Sequence, residues 1–176
     1  MPLQESQLPL KRFIHFTSLA LMVGTILGCT PGISSPPLPT VTPLPLTAQV
    51  TIGSTDIFLE VATTPEEQAQ GLMFRTELAG DRGMLFDFVE PRIARFWMKN
   101  TLIPLDMIFL RQGQIKRIIA NVPPCNADPC PVYGPLTEVD QVLELNAGQA
   151  EALGLTVNQQ LEIVPIAPAD APENSP

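Results

Sequence analysis

Between Ala48 and Val164 the apolar residues come in short runs, each cut off by Gly, Pro or Asn before a long helix could form. There is no internal repeat and no extended amphipathic helix pattern. Short apolar runs bounded by turn residues predict strands. They fall at Ala48–Ile52, Ile57–Val61, Met84–Phe88, Ala94–Met98, Met107–Leu110, Ile115–Val122, Val142–Leu145 and Gln160–Val164. Gln112 and Gly113 separate two of these runs and read as a hairpin turn. Two short helices interrupt the series. Thr64-Pro65-Glu66-Glu67 fits a capping box with proline in the first helical position, so a helix is expected from there to about Leu72. A second covers Ala147–Leu153 and closes at Gly154. The expected fold is mainly β, a compact single domain of β-sandwich or barrel-like form with two short helices, over residues 48–166.

The N-terminus reads as an address. Lys11 and Arg12 precede an uncharged run from Phe13 to Leu27, followed by Gly28 and Cys29. A basic start, an apolar run and a small residue before the cut describe an export signal over residues 1–28. The Ile26-Leu27-Gly28-Cys29 sequence resembles a bacterial lipobox, which implies that the Cys29 thiol carries diacylglycerol. The alternative is an uncleaved anchor, for which the uncharged run is short of the roughly 20 residues a spanning helix needs. Residues 29–47 are rich in proline and favour an extended tether with a reach of roughly 50 Å. Residues 167–176 are expected to be a disordered tail. The implied location is the membrane, through the N-terminal lipid, on the periplasmic or cell-surface side.

Charge and histidine narrow the chemistry. The net charge of −8 repels phosphate backbones, so no nucleic acid is expected as a partner. The single histidine is His15, inside the signal. A processed chain would have none, which removes Ser-His-Asp and Cys-His nucleophile pairs and every His-ligated metal site. Cysteine arithmetic fits export: with Cys29 acylated, Cys125 and Cys130 remain and are expected to pair in an oxidising compartment. The loop is short, so the gain is roughly 2 kcal/mol. A redox or metal dithiol is the alternative, but the spacing is not CxxC and there is no second ligand pair. Met73, Met84, Met98 and Met107 could offer soft thioether ligands to copper, yet their spacing matches no compact metal motif and methionine commonly fills irregular cores. No metal or cofactor is expected.

The most distinctive stretch contains GLMFR (Gly71–Arg75), GMLFDF (Gly83–Phe88) and FWMKNTLIPLDMIFL (Phe96–Leu110), followed by Tyr133-Gly134 and VLELNAG (Val142–Gly148). In this order the pieces resemble the family known as domain of unknown function 192. The resemblance implies a compact, mainly β domain, often exported, and brings no activity or catalytic residue with it. Read physically, alternation on Ala94–Met98 puts Phe96 and Met98 on one face and Arg95, Trp97 and Lys99 on the other. Large apolar groups on both faces predict a central strand.

Lys99, Asn100, Thr101 and Asp106 surround a tight connection at Pro104, and Lys99 with Asp106 invites an ion pair or a polar pocket floor. Arg75 and Glu144 are candidates for the same neighbourhood. The candidate ligand-binding set is therefore Arg75, Trp97, Lys99, Asn100, Thr101, Asp106 and Glu144. Each has a plainer reading: Asn100 and Thr101 as turn residues, Asp106 as a cap or a partner of Lys99 or Arg75, and Trp97 as core.

The leading functional expectation is a cell-envelope binding or interaction module for an unknown ligand or protein. A small hydrolase of envelope glycans or lipids using two of Glu60, Asp87, Asp106 and Glu144 is an alternative. A structural or assembly partner without a ligand is another. No catalytic residue is named by the sequence.

Overall fold

The computed structural model describes residues 39–167. The expected signal, Cys29, the tether up to residue 38 and the tail from 168 lie outside the described residues.

Strand β1 (Leu46–Ile52) turns through Gly53 into β2 (Thr55–Ala62), an antiparallel pair. β3 (Arg82–Arg92) lies parallel to β2. Parallel neighbours need a crossover of a dozen or more residues, which residues 63–81 supply. Its start is α1 (Pro65–Gln70), where the capping box forms as the sequence suggests: the Glu67 N–H donates to Thr64 Oγ1 at 3.2 Å and the Thr64 N–H to Glu67 Oε2 at 3.0 Å. After β4 (Phe96–Trp97) come β5 (Leu105–Arg111) and β6 (Gln114–Val122), joined at Gln112 and Gly113, both at positive φ as a two-residue hairpin turn requires. β7 (Val132–Tyr133), β8 (Val139–Asn146), α2 (Gln149–Ala152) and β9 (Ile163–Pro165) complete the order.

The main sheet runs β6-β5-β8-β3-β2-β1-β9, and β4 with β7 forms a separate ribbon. The main sheet curls until its edges meet. Just ahead of β9, Gln160 bridges Gln114, and the Ile115 N–H donates to the Gln159 carbonyl at 2.9 Å. Gly113 permits this approach, since a Cβ there would lie 2.7 Å from the Leu161 carbonyl oxygen. The contact is too brief to be a ladder, so the barrel-like form is a curled sheet rather than a closed barrel. The same use of residues 158–161 explains why the strand expected at Gln160–Val164 starts only at Ile163.

Side-chain alternation builds two cores. One gathers Ile57, Leu59, Leu85, Ile108, Leu110, Leu143 and Leu145, with Ala150 and Leu155 from the α2 region. The other, on the opposite face, gathers Met84, Phe86, Met107, Phe109 and Val142, roofed by Leu72, Ala94 and Met98 from the loops. β5 serves both, and Leu105 to Leu110 are all buried. Full burial of each large side chain there contributes about 1.5–3 kcal/mol.

The strand expected over Ala94–Met98 is the main departure. Only Phe96 and Trp97 are extended and paired, and they pair with Val132 and Tyr133 instead of entering the main sheet. The segment has apolar groups on both faces for another reason: Phe96 and Met98 point into the second core, while Trp97 is half-exposed on the outside. The Cys125–Cys130 disulfide folds the intervening loop, and the Cys125 N–H donates to the Met98 carbonyl at 3.3 Å, fastening the ribbon to that loop. Among the described residues no helix is long and apolar enough to cross a membrane.

Candidate functional site

Strand register sets one row of side chains across the second face. Glu60 lies opposite Met84, Met84 opposite Glu144, and Glu144 opposite Met107. All four are buried, so two carboxylates sit in an otherwise thioether-rich row.

They are treated differently. Glu60 Oε2 accepts from Arg75 Nη2 at 2.7 Å and from the Leu44 N–H at 2.7 Å. Glu144 has no hydrogen-bond or ion-pair partner among the described residues, and burial alone pushes its carboxyl up to about 8. At neutral pH it is a neutral acid, able to donate one hydrogen bond and accept another.

Glu144 is not sealed in. It lies at the floor of a cleft of about 450 Å³, within the range of small-molecule sites. One wall is the end of α1 and the following turn, through Gln68, Leu72 and Met73; the other is Ala94 to Trp97 and Thr101, with Phe86 and Phe88 from β3 beneath. Phe96 sets this wall by edge-to-face contacts with Phe86 (ring centroids 4.9 Å apart) and Phe109 (6.1 Å). Arg92 and Arg95 line the mouth. The Arg92 guanidinium lies 3.8 Å over the Phe88 ring, and Nη2 donates to Gln68 Oε1 at 2.9 Å. The two walls are tied together where the Phe74 N–H donates to the Asn100 carbonyl at 2.8 Å, with both residues at positive φ. Asparagine tolerates that conformation; a phenylalanine held there is the more unusual feature.

The seven candidate residues therefore separate. Trp97, Thr101 and Glu144 line the cleft. Asn100 buttresses it through the contacts to Phe74 and Met73 Sδ (3.9 Å). Arg75 is committed to Glu60 and faces a different depression, with Leu44 and Met84. Lys99 does not pair with Asp106; its Nζ lies 5.4 Å from the Trp97 ring centroid. Asp106 points to the opposite face, where it accepts from the N–H groups of Asn121 (2.7 Å), Gly148 (3.1 Å) and Ala150 (2.8 Å). The reason is geometric: Asp106 and Met107 are consecutive on a strand, and Met107 is the one beside Glu144. Trp97, for which the sequence leaves both a core and a ligand-contact reading open, is 50% exposed at the cleft wall.

Arg92, Arg95, Gln68 and Phe86 escape the sequence reading. One signal was present: from Pro91 to Leu105 there are three cations and no carboxylate, in a chain that is acidic overall. Among the described residues no group of three His, Cys, Asp or Glu is placed to hold a metal ion.

Residues 48–163 match the model of DUF192, described as an uncharacterized ACR family. Two solved structures are similar. One, from Sinorhizobium meliloti 1021 and provisionally named a transcription regulator, is 39% identical, with 70% of this chain and 97% of that chain covered at a TM-score of 0.60. The other, a protein of unknown function from Novosphingobium aromaticivorans DSM 12444, is 36% identical, with 74% and 94% covered at a TM-score of 0.62. No curated protein matches.

Proposed function

We propose, from the premise that this chain belongs to the uncharacterised family DUF192, that it is an envelope-tethered module that binds a small, largely apolar molecule in the Glu144 cleft. The observation that carries the reading is the unpartnered Glu144 carboxyl at the end of an aromatic-walled cleft. A buried polar group without a partner costs stability, and a ligand that meets it recovers that cost.

The hydrolase alternative has less support. Glu60 is held by Arg75 and Asp106 by three backbone N–H groups on the other face, so neither stands free beside Glu144. Regulation of transcription, the name given to the Sinorhizobium protein, sits poorly with a net charge of −8.

N-phenyl-1-naphthylamine, a neutral probe that fluoresces in apolar sites, tests the cleft. One-to-one binding with a shift of the Trp97 emission is expected, because Trp97 is the chain's single tryptophan and stands at the wall. Ala69 is exposed and lines the cleft, so Ala69→Trp fills it without disturbing the core and should abolish the signal. Undiminished binding by Ala69→Trp would dismiss the cleft.

The tether is tested separately. Mass spectrometry of the mature N-terminus should find an acylated Cys29, and Cys29→Ser should move the protein out of the membrane fraction. A full-length, unacylated N-terminus on the native protein would refute this part alone.

A further inference from the structure

We infer that the molecule taken by the cleft is an anionic amphiphile, its carboxylate or phosphate head held at the mouth by Arg92 and Arg95 and its apolar body lying against Phe86 and Phe96. The inference rests on the cleft reading above and narrows it to a ligand class.

Of the four other arginines in the domain, three are answered by carboxylates, Arg75 by Glu60, Arg82 by Asp81 and Arg111 by Asp140, and Arg117 donates to the Gly134 carbonyl. At the mouth Arg92 and Arg95 are answered by no carboxylate. Among the described residues Arg95 has no hydrogen-bond or ion-pair partner, and Arg92 uses one donor on the neutral Gln68 and keeps the others available. Lys99, against the Trp97 ring, adds a third positive charge on the same segment.

A chain of net charge −8 that leaves cations uncompensated at one cleft favours an anion there. Guanidinium donors suit a carboxylate or phosphate fork. A cationic ligand would be repelled at the entrance. The floor does not oppose an anion either, because Glu144 is protonated at neutral pH and carries no charge to repel it. The other charged pair on this face, Glu60 with Arg75, is internally neutralised.

Decanoate, decyl phosphate, decanol and decylamine share a tail and differ in the head, so they isolate the head-group contribution. Titrated into the intact protein and followed by Trp97 emission, decanoate and decyl phosphate should bind about tenfold or more tightly than decanol, and decylamine more weakly still. Arg92→Ala with Arg95→Ala should remove that preference and flatten its salt dependence, and Arg95→Glu, at an exposed site, should reverse it. Lys116→Ala, which removes a charge that does not line the cleft, should leave the preference in place. Equal binding of all four, or tightest binding of decylamine, overturns the anion assignment and leaves the cleft reading standing. Absence of binding by all four together with N-phenyl-1-naphthylamine overturns both.

Discussion

Glu144→Gln is expected to raise the thermal unfolding midpoint at neutral pH by about 10 °C and to remove most of the fall in stability between weakly acidic and weakly alkaline pH. In the unfolded chain a glutamate loses its proton near 4.5; in the fold, burial holds the Glu144 proton to about 8. Between those values the native state binds more protons than the unfolded state, so stability falls as pH rises. The contribution is fully present below the unfolded value and is lost as pH climbs toward the folded one, a change on the order of 5 kcal/mol across the window. At neutral pH the part already lost is on the order of 3 kcal/mol.

Glutamine keeps the shape and the hydrogen-bonding capacity but cannot ionise, so its stability should not follow that slope. Paired unfolding curves of the two proteins over this pH range are the measurement. Parallel curves would mean that Glu144 is ionised in the folded protein, and the neutral floor assigned to the cleft would have to be abandoned. A native protein that is less stable than its glutamine variant carries its unpaired acid at a cost, which fits a residue retained for contact with a ligand.

What the sequence discloses is the local part of this design. The Thr64–Glu67 capping box and the Gln112–Gly113 turn involve residues a few positions apart, and both form as read. Strand periodicity likewise locates most of the main sheet. Pairing over distance is what stays hidden. Phe96 and Trp97 find partners at Val132 and Tyr133, beyond a disulfide loop, and no pattern within Ala94–Met98 distinguishes that ribbon from a central strand. The parallel placement of β2 against β3 is not written in either strand, yet it aligns Glu60 with Glu144 across Met84. Sequence proximity also misleads: Lys99 and Asp106 look like neighbours, but the strand pleat turns Asp106 to the opposite face. Trp97, Thr101 and Glu144 meet at the cleft, while Arg92 and Arg95 are visible in the sequence only as a run of cations without acids.

Asp106→Ala should destabilise the domain by about 4 kcal/mol, and Asp106→Asn by about half as much. Asp106 is fully buried and its two oxygens are shared among three backbone N–H groups, 15, 42 and 44 residues away in sequence. Two of the donors, Asn121 and Gly148, have positive φ. Gly148 is the N-cap of α2 and offers no side-chain oxygen, so Asp106 supplies from a neighbouring strand the acceptor that a capping side chain would otherwise provide.

Removing the carboxylate leaves three donors without acceptors in a site where water has little access, at a cost of about 1–3 kcal/mol for each that cannot relax. Asparagine retains one oxygen and turns an NH2 group toward the remaining donor, hence the intermediate loss. Denaturant unfolding measures both variants against a typical total stability of about 5–15 kcal/mol, so Asp106→Ala should approach the unfolding threshold at physiological temperature.

Binding then separates the two roles the sequence leaves open for this residue. Asp106 lies on the face opposite the cleft, so Asp106→Asn, held below its lowered midpoint, should take up N-phenyl-1-naphthylamine as the native protein does. A folded Asp106→Asn that no longer binds the probe would put the carboxylate in the ligand's path and overturn its assignment as an acceptor for the α2 turn.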